Sequence, residues 1–141
     1  MSKSGPIIVI EDDADDQSIF EAVLHEIGVA NKLIWFTECD QAFDYLKATT
    51  DQPFIIFSDV NLPKQNGIEF KREIDNDAQL RKKSIPFVFY STSIDQKAIN
   101  EAYTKMTVQG FFQKGHNYEE IKTIIKVIID YWEVCKHPNA K

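Results

Sequence analysis

Five short runs of β-branched and aromatic residues, each followed by a helical pattern, constrain the fold of this chain more than any other feature. The runs are Ile7–Ile10, Leu33–Phe36, residues 54–57, residues 87–90 and Gly110–Gln113. Most of them are apolar on both faces, which is typical of strands in a parallel sheet that helices cover on both sides.

The segments between the runs show the apolar spacing of amphipathic helices. The predicted helices cover residues 15–27, a segment that starts near Asp40, residues 68–74, residues 95–103 and residues 118–134. We expect Asp40 to cap the second helix and Ser93 or Asp95 to cap the fourth. Strands that alternate with helices pair in parallel through right-handed crossovers, so the sequence predicts an α/β fold with a doubly wound, five-stranded parallel sheet.

Length and composition fit one folded domain. The chain has 141 residues, of which 43% are hydrophobic and 27% are charged, and no linker or repeat interrupts it. We expect residues 1–141 to form a single domain with its core at about 6–134. The net charge of −6 argues against nucleic acid as a partner, since phosphate backbones attract clustered Lys and Arg. The basic residues 81–83 are interpreted as a solvated loop.

The sequence shows no sign of secretion or membrane insertion. Residues 1–6 lack the apolar core of a signal peptide, and no apolar run is long enough to cross a bilayer. Cys39 and Cys135 lie far apart and are predicted to be free thiols. We therefore expect a cytoplasmic protein with no membrane partner.

Polar residues gather where the predicted strands end. Glu11 and Asp12 follow the first strand, Asp59 follows the third, Ser91 the fourth and Lys114 the fifth. Because the carboxyl ends of parallel strands lie at one edge of a sheet, we expect these side chains to meet in a single crevice.

The residue types at this edge indicate phosphoryl chemistry. Carboxylates that lie close together repel one another, and a divalent cation with oxygen ligands offsets that repulsion. One or two carboxylates with waters suit Mg²⁺. An aspartate beside Mg²⁺, with a hydroxyl and the ammonium of Lys114 nearby, is the arrangement that transfer of a phosphoryl group to a carboxylate requires.

Each of these residues also has a simpler structural interpretation. The acidic residues 11–13 could cap a helix and interact with its dipole, with Asp15 and Asp16 in the same role. Asp59 could be a turn residue, Ser91 a helix cap, Lys114 an ordinary surface lysine and Phe111 a core residue.

The three histidines have no predicted functional role, whereas Tyr103 and the exposed part of residues 124–132 could also form a partner surface. We expect His25, His116 and His137 to be exposed, and no His or Cys spacing indicates zinc. Tyr103 is predicted to turn inward from the fourth helix.

Four motifs, taken together and in this order, resemble one known family. They are residues 7–13 (Ile-Ile-Val-Ile-Glu-Asp-Asp), residues 57–63 (Phe-Ser-Asp-Val-Asn-Leu-Pro) with Gly67, residues 85–93 (Ile-Pro-Phe-Val-Phe-Tyr-Ser-Thr-Ser) and residues 110–114 (Gly-Phe-Phe-Gln-Lys). With these motifs the chain resembles the response-regulator receiver domains of two-component signalling, in particular the single-domain chemotaxis-regulator type. The resemblance covers roughly residues 6–132 and implies a flavodoxin-like sheet with strand order 2-1-3-4-5.

The resemblance implies a role for each residue at the strand ends. Asp59 would be the phosphoacceptor. The Mg²⁺ ligands would be Asp12, Asp59 and the backbone carbonyl of Asn61, with Glu11 acting mostly through a water on the metal. Ser91 would donate its hydroxyl to a phosphoryl oxygen, and Lys114 would pair with the phosphoryl group or, before transfer, with Asp59.

Further implied roles concern switching and dephosphorylation. Ser91 and Phe111 would form the switch, with the Phe111 ring turning inward when Ser91 moves. Asn61 and Ser93 would flank the attacking water and tune dephosphorylation. Gly115 stands where the family usually has Pro, and we expect this to leave the loop after the fifth strand less constrained.

The predicted function is that of a phosphoacceptor response regulator in a two-component phosphorelay. Expected partners are a sensor histidine kinase or a histidine phosphotransfer protein, a downstream target, and a second copy bound through the fourth helix, fifth strand and last helix. We expect no enzymatic activity beyond Mg²⁺-dependent self-phosphorylation and slow autodephosphorylation. Two alternatives stay open: a Mg²⁺-dependent phosphatase, which usually needs a second Asp where Asn61 stands, and a scaffold that is not phosphorylated.

Overall fold

The computed structural model describes residues 2–92 and 95–138, and the sheet within them matches the predicted α/β fold. Its strands are β1 (Ile7–Ile10), β2 (Leu33–Phe36), β3 (Ile55–Ser58), β4 (Phe87–Ser91) and β5 (Gly110–Gln113). They pair in parallel in the order β2-β1-β3-β4-β5. The predicted doubly wound sheet and its strand order are therefore confirmed.

Helices connect the strands, and most of them begin at a side-chain cap. They are α1 (Ala14–Glu26), α2 (Cys39–Ala48), α3 (Gly67–Asn76), α4 (Ala78–Lys83), α5 (Gln96–Lys105) and α6 (Tyr118–Val134), and a 3-10 turn (Ser2–Ser4) precedes β1. The side chains that accept hydrogen bonds from first-turn N–H groups are Asp13, Asn66, Asp77, Asp95 and Asn117. Asp95 is thus one of the two residues predicted to cap α5.

The prediction that Asp40 caps α2 is wrong. Glu38 occupies the N-cap position without a side-chain cap hydrogen bond, and Asp40 lies in the first turn. The Asp40 carboxylate accepts a hydrogen bond from the Gln41 N–H at 2.9 Å. An acid in the first turn is still favourable, because the amino end of a helix carries a partial positive charge.

Helix α4 is an addition to the predicted elements. Its six residues are too few to show a helical period in the sequence. Residues 81–83, interpreted as a loop, form its last turn, where basic side chains interact favourably with the helix dipole. Asp77 caps the helix, and the buried side chain of Leu80 anchors it in the core.

Apolar side chains pack against both faces of the sheet. Helices α1 and α6 cover one face, through buried residues such as Phe20, Val23 and Ile128. Helices α2 to α5 cover the other face, through buried residues such as Leu46 and Phe70. Strands β1, β3 and β4 are buried along their whole length, which is why their sequences are apolar on both faces.

His137 is buried, so the expectation that it would be exposed is wrong. Only 1% of its surface is exposed. The chain turns back after α6, and the His137 ring stacks on Phe54 while its Nε2 lies 2.8 Å from the Phe54 carbonyl oxygen. Trp132 packs against the same ring edge to face. These contacts join the end of α6 to the residue that precedes β3.

His25 and His116 are exposed, as expected.

Tyr103 lies on the surface, contrary to the prediction that it turns inward. Its side chain is 53% exposed. The Tyr103 hydroxyl accepts a hydrogen bond from the Phe111 N–H at 2.9 Å, so the residue connects α5 to the edge strand β5. A tyrosine suits this position because its ring packs while its polar end reaches a backbone group.

Cys39 and Cys135 are free thiols, as predicted. No helix within the described ranges combines the length and the apolar character that a membrane span needs.

A buried ion pair within α3 is hydrogen-bonded to Thr107, in the segment that precedes β5. The Lys71 side chain is 4% exposed, and its ammonium lies 2.7 Å from the Asp75 carboxylate and 3.0 Å from the Thr107 hydroxyl. The Thr107 N–H donates to the same carboxylate at 3.1 Å. Burial alone would raise the pKa of Asp75, but the hydrogen bonds from Lys71 and Thr107 outweigh burial and hold that pKa below its ordinary value.

We expect Asp75 to make stability depend on acid pH. Its contribution is fully present above the ordinary pKa of 3.8 and is lost as the pH falls through the lower folded pKa. Asp75→Asn should lower the free energy of unfolding by about 2 kcal/mol at neutral pH, since Lys71 loses its counter-charge. Urea titrations at several pH values should show this difference shrink below about pH 4. Asp44→Asn, at an exposed site, is the control, and a difference independent of pH would contradict the assignment.

Candidate functional site

The sheet brings four of the predicted site residues together at its carboxyl edge. β1 and β3 are neighbours, and the Asp59 N–H donates to the Ile10 carbonyl oxygen at 3.0 Å, which places Asp59 beside Glu11. β4 and β5 are neighbours, and the Lys114 N–H donates to the Ser91 carbonyl oxygen at 2.8 Å. The parallel topology alone therefore gathers groups that lie far apart in sequence.

The Asp59 carboxylate is fixed by hydrogen bonds. Its Oδ1 accepts from the N–H of Val60 at 2.6 Å, the N–H of Asn61 at 3.2 Å and the hydroxyl of Ser91 at 2.7 Å. Asp59 is 7% exposed and Ser91 is fully buried. The carboxylate therefore has a set orientation, with one edge still reachable from solvent.

The ammonium of Lys114 lies among three carboxylates. Its Nζ is 2.6 Å from Asp16 Oδ2, 2.7 Å from Glu11 Oε2 and 3.3 Å from Asp59 Oδ2. The ring of Tyr90 lies beneath it, with 5.8 Å from Nζ to the ring centroid. Burial would lower the pKa of Lys114, but the hydrogen bonds to Asp16 and Glu11 and the charge of Asp59 outweigh burial and raise it. Lys114 is therefore a permanent positive charge in this site.

Glu11 and Asp59 divide the negative charge unequally. Burial, followed by the hydrogen bond to Asp59, raises the pKa of Glu11 to about 8 despite the opposing effect of Lys114. Burial would also raise the pKa of Asp59, but hydrogen bonds from Glu11 and Ser91, with the Lys114 charge, lower it. Asp59 is therefore the ionised carboxylate of the pair, and Glu11 is the one that holds a proton more readily.

Other predicted site residues lie outside this cluster. Asp12 and Asn61 are exposed, although the Asn61 N–H contacts Asp59. Asp13 caps α1 by accepting from first-turn N–H groups, so the capping interpretation holds for Asp13. It does not hold for Glu11, which is 4% exposed and faces Lys114.

The two residues predicted to act in switching and dephosphorylation are less constrained. Phe111 is partly buried, and its ring centroid lies 5.4 Å from that of Phe89. This position fits both core packing and a switch, so the switch role stays a prediction. Ser93 lies outside the described residues, and its role also stays a prediction.

Asp16 contacts Lys114, although the sequence predicts for it only a favourable position at the start of a helix. The sequence feature that points to this contact is the position of Asp16 in the helical pattern. Asp16 precedes Ile19, Phe20 and Val23 on the stripe of α1 that faces the core. A carboxylate at the amino end of a buried stripe needs a partner, and the nearest cation is Lys114.

The oxygen groups at this edge fit a hard divalent cation. Glu11 and Asp59 lie side by side, Asp12 follows Glu11, and the main chain of Asn61 is hydrogen-bonded to Asp59. Within residues 2–92 and 95–138, no three acidic, thiol or imidazole side chains form a group that could hold a metal by themselves. Mg²⁺ does not need such a cage, because it binds one or two carboxylates and keeps several waters.

Two glycines allow the main chain to approach closely beside the site. A Cβ on Gly67 would collide with the carbonyl oxygen of Asp59, and a Cβ on Gly115 would lie 2.7 Å from the Ile121 nitrogen. The start of α6 thus rests directly on the residue after Lys114. The expectation that Gly115 leaves this loop less constrained than a Pro would stays a prediction, although a side chain at this position would meet the backbone of α6.

Comparison with known proteins decides the family. A sequence profile described as the response regulator receiver domain matches residues 7–126. The chain belongs to the response regulator receiver family. The predicted family, and with it a place in two-component signalling, are confirmed.

Several relatives match this receiver domain over most of its length. Response regulator Rcp1 of Synechocystis is 25% identical over 131 residues, covering 89% of this chain and 87% of that protein. The probable methanogenesis regulatory protein FilR2 of Methanothrix harundinacea is 25% identical over 130 residues, covering 89% and 82%. The crystal structure of the phosphorylated cyanobacterial phytochrome response regulator RcpA has a TM-score of 0.85 and 28% identity, covering 95% of this chain and 98% of that one.

We expect the close packing on Gly115 to make any residue with a side chain destabilising at this position. Gly115→Ala should lower the free energy of unfolding by about 1–3 kcal/mol, because the added methyl group meets the backbone of α6. His116→Ala, at the exposed neighbouring residue, should change it by less than about 0.5 kcal/mol. Urea denaturation measures both variants, and equal stability of the two would show that the approach of α6 has been misjudged.

Proposed function

We propose that this receiver domain accepts a phosphoryl group on Asp59 from a sensor histidine kinase or a histidine phosphotransfer protein and then signals by protein contact. One observation supports this most directly. The buried carboxylate of Asp59 contacts both the hydroxyl of Ser91 and the ammonium of Lys114. These are the groups that a carboxylate needs around it when a phosphoryl group is transferred to it.

The transfer step follows from the chemistry of the carboxylate. An oxygen of Asp59 attacks the phosphorus of the donor, a new O–P bond forms, and the P–N bond to the donor imidazole breaks. The imidazole leaves with the electron pair. The lowered pKa of Asp59 supports this assignment, because only the ionised carboxylate is a nucleophile.

Ser91 and Lys114 would stabilise the charge that transfer adds. The Ser91 hydroxyl, now 2.7 Å from Asp59 Oδ1, would turn its hydrogen towards a phosphoryl oxygen, and Lys114 would donate to another. Ser91 pairs with Gln113 of β5 and lies two residues after Phe89, which pairs with Phe111, so any movement of Ser91 would occur one pleat away from Phe111. We propose that this is how the phosphorylated state changes the outer surface.

We propose Mg²⁺ as the cation, held by the carboxylates of Asp12 and Asp59 and the backbone carbonyl of Asn61, with Glu11 close by. The cation would neutralise the oxygens of the transferred group. The chemistry of the donor set supports this, since all of these groups present oxygen. Rcp1, 25% identical over 94% of this chain with a TM-score of 0.82, has been crystallised in a Mn²⁺-bound form.

The output face in this proposal comprises α5, β5 and α6. Large apolar side chains are exposed there, among them Tyr103, Val127 and Tyr131. We propose that this face binds a downstream target or a second copy of the chain, and that residues 1–141 act as one domain in the cytoplasm. The net charge of −6 does not favour nucleic acid as the target.

An enzymatic role is not part of the proposal. A phosphatase with an aspartate nucleophile needs an acid/base group two residues later, and the amide of Asn61 cannot exchange a proton at neutral pH. We propose only Mg²⁺-dependent self-phosphorylation and slow autodephosphorylation.

We expect incubation with acetyl phosphate and Mg²⁺ to add one phosphoryl mass to the protein. Asp59→Asn should abolish the addition, since the amide is not a nucleophile, and removal of Mg²⁺ by a chelator should have the same effect. Asp44→Asn, at an exposed acid of α2, should be labelled like the parent. Intact-protein mass spectrometry measures the labelling, and full labelling of Asp59→Asn would place the acceptor elsewhere.

We also expect Mg²⁺ to stabilise the fold. At ten times the dissociation constant it should raise the melting temperature by about 3–6 °C, because it binds the folded state alone. Asp12→Asn should reduce this shift, whereas Asp15→Asn, which removes the same charge from an exposed residue nearby, should preserve it. Thermal melts in a Mg²⁺ series measure both, and an equal shift in the two variants would exclude Asp12 as a ligand.

A further inference from the structure

Asp16 makes the shortest of the three carboxylate contacts to Lys114. The distance is 2.6 Å for Asp16, 2.7 Å for Glu11 and 3.3 Å for Asp59. An ammonium has three N–H donors, so these three carboxylates use its full capacity. The contact that would be exchanged for a phosphoryl oxygen, the one to Asp59, is the longest of the three.

The other acids at the start of α1 do not reach the lysine. Asp13 accepts hydrogen bonds from the N–H groups of Asp15 and Asp16 and so caps the helix. Asp15 is exposed, and its side chain makes no hydrogen bond or ion pair with the described residues. Asp16 alone of the three turns towards β5, and its side chain is 33% exposed against 8% for Lys114.

Asp16 also differs from Glu11 in the counter-charge that it offers to Lys114. Glu11 is hydrogen-bonded to Asp59 as well as to Lys114, so it is not a partner of the lysine alone. Asp16 has no acidic neighbour of this kind among its described contacts, and it offers Lys114 an undivided counter-charge. An ammonium that is hydrogen-bonded to Asp16 is less free to form a close ion pair with Asp59.

We propose that Asp16 is a positioning residue for Lys114. It holds the ammonium towards α1, restricts its ion pair with Asp59 and so leaves the Asp59 carboxylate available to a phosphoryl donor. After transfer, Lys114 keeps its contacts with Asp16 and Glu11 and gives its third N–H to a phosphoryl oxygen. This inference rests on the proposed function, because it concerns the availability of the same carboxylate.

The location of Lys114 explains why a third carboxylate is useful there. The residue follows β5, an edge strand with a single neighbour in the sheet. Its backbone is held by the carbonyl of Ser91 and by the packing of α6 on Gly115, but neither contact sets the direction of the long side chain. Asp16 supplies that direction from α1, across the site.

The test compares Asp16→Asn with Asp15→Asn. Both variants remove one negative charge from the same helical turn, so they change the approach of an anionic donor alike. Asp16→Asn should slow the labelling of Asp59 by acetyl phosphate about tenfold relative to Asp15→Asn, because Lys114 is then free to pair tightly with Asp59. Asp16→Glu, which keeps the carboxylate, should recover labelling to within about threefold of the parent.

A second measurement is independent of phosphorylation. In proton–nitrogen NMR spectra the side-chain ammonium of Lys114, identified by its loss in Lys114→Arg, should shift or broaden in Asp16→Asn. It should remain at the parent position in Asp15→Asn and reappear near it in Asp16→Glu. A merely structural contribution of Asp16 to helix α1 would lower stability without moving this signal.

The possible outcomes separate the inference from the proposed function. Equal labelling rates of Asp16→Asn and Asp15→Asn, or a faster rate in Asp16→Asn, would overturn the inference while leaving Asp59 as the acceptor. An unchanged Lys114 signal in Asp16→Asn would overturn it as well. If the parent protein is not labelled at all, the proposed function falls, and the NMR comparison still decides whether Asp16 holds Lys114.

Discussion

The positive charge of Lys114 is the interaction on which the carboxyl edge of this sheet depends. Three carboxylates, those of Glu11, Asp16 and Asp59, contact its ammonium, and the lysine side chain is only 8% exposed. Without that charge, acids at the ends of β1 and β3 would face one another in a partly buried crevice, which is strongly unfavourable. Glu11 and Lys114 are 103 residues apart in sequence. The site is therefore complete only when the last strand has joined the sheet.

Most of the fold could be predicted because the sheet is buried on both faces. The bounds predicted for β1, β2 and β5 are the observed ones, since each run stops abruptly at a polar or charged residue. The gathering of Glu11, Asp59, Ser91 and Lys114 followed from topology alone, because parallel strands present their carboxyl ends on one side. No side-chain detail was needed to bring these four residues together.

The features that escaped prediction are those that depend on tertiary contacts. Helix α4 has one buried residue, Leu80, and so leaves no periodic pattern. His137 looks like an isolated polar residue, but it is buried because the chain returns to Phe54 after α6. Asp16 looks like a favourable first-turn acid, and its partner becomes evident only when β5 is placed beside β4. In each case the local sequence fits a simpler interpretation. The actual environment of the residue is set by a contact with a distant segment of the chain.

Helix α6 is secured at both of its ends. Its first turn lies against Gly115 with no room for a side chain, and the segment beyond its last turn is fastened to Phe54 by His137. A helix anchored in this way cannot slide along the sheet without breaking one attachment. Helix α5, by contrast, has Ala102 as its fully buried residue and meets β5 through the hydroxyl of Tyr103. A displacement that began at Ser91, as proposed, would therefore meet less resistance at α5 and the edge strand β5 than at α6.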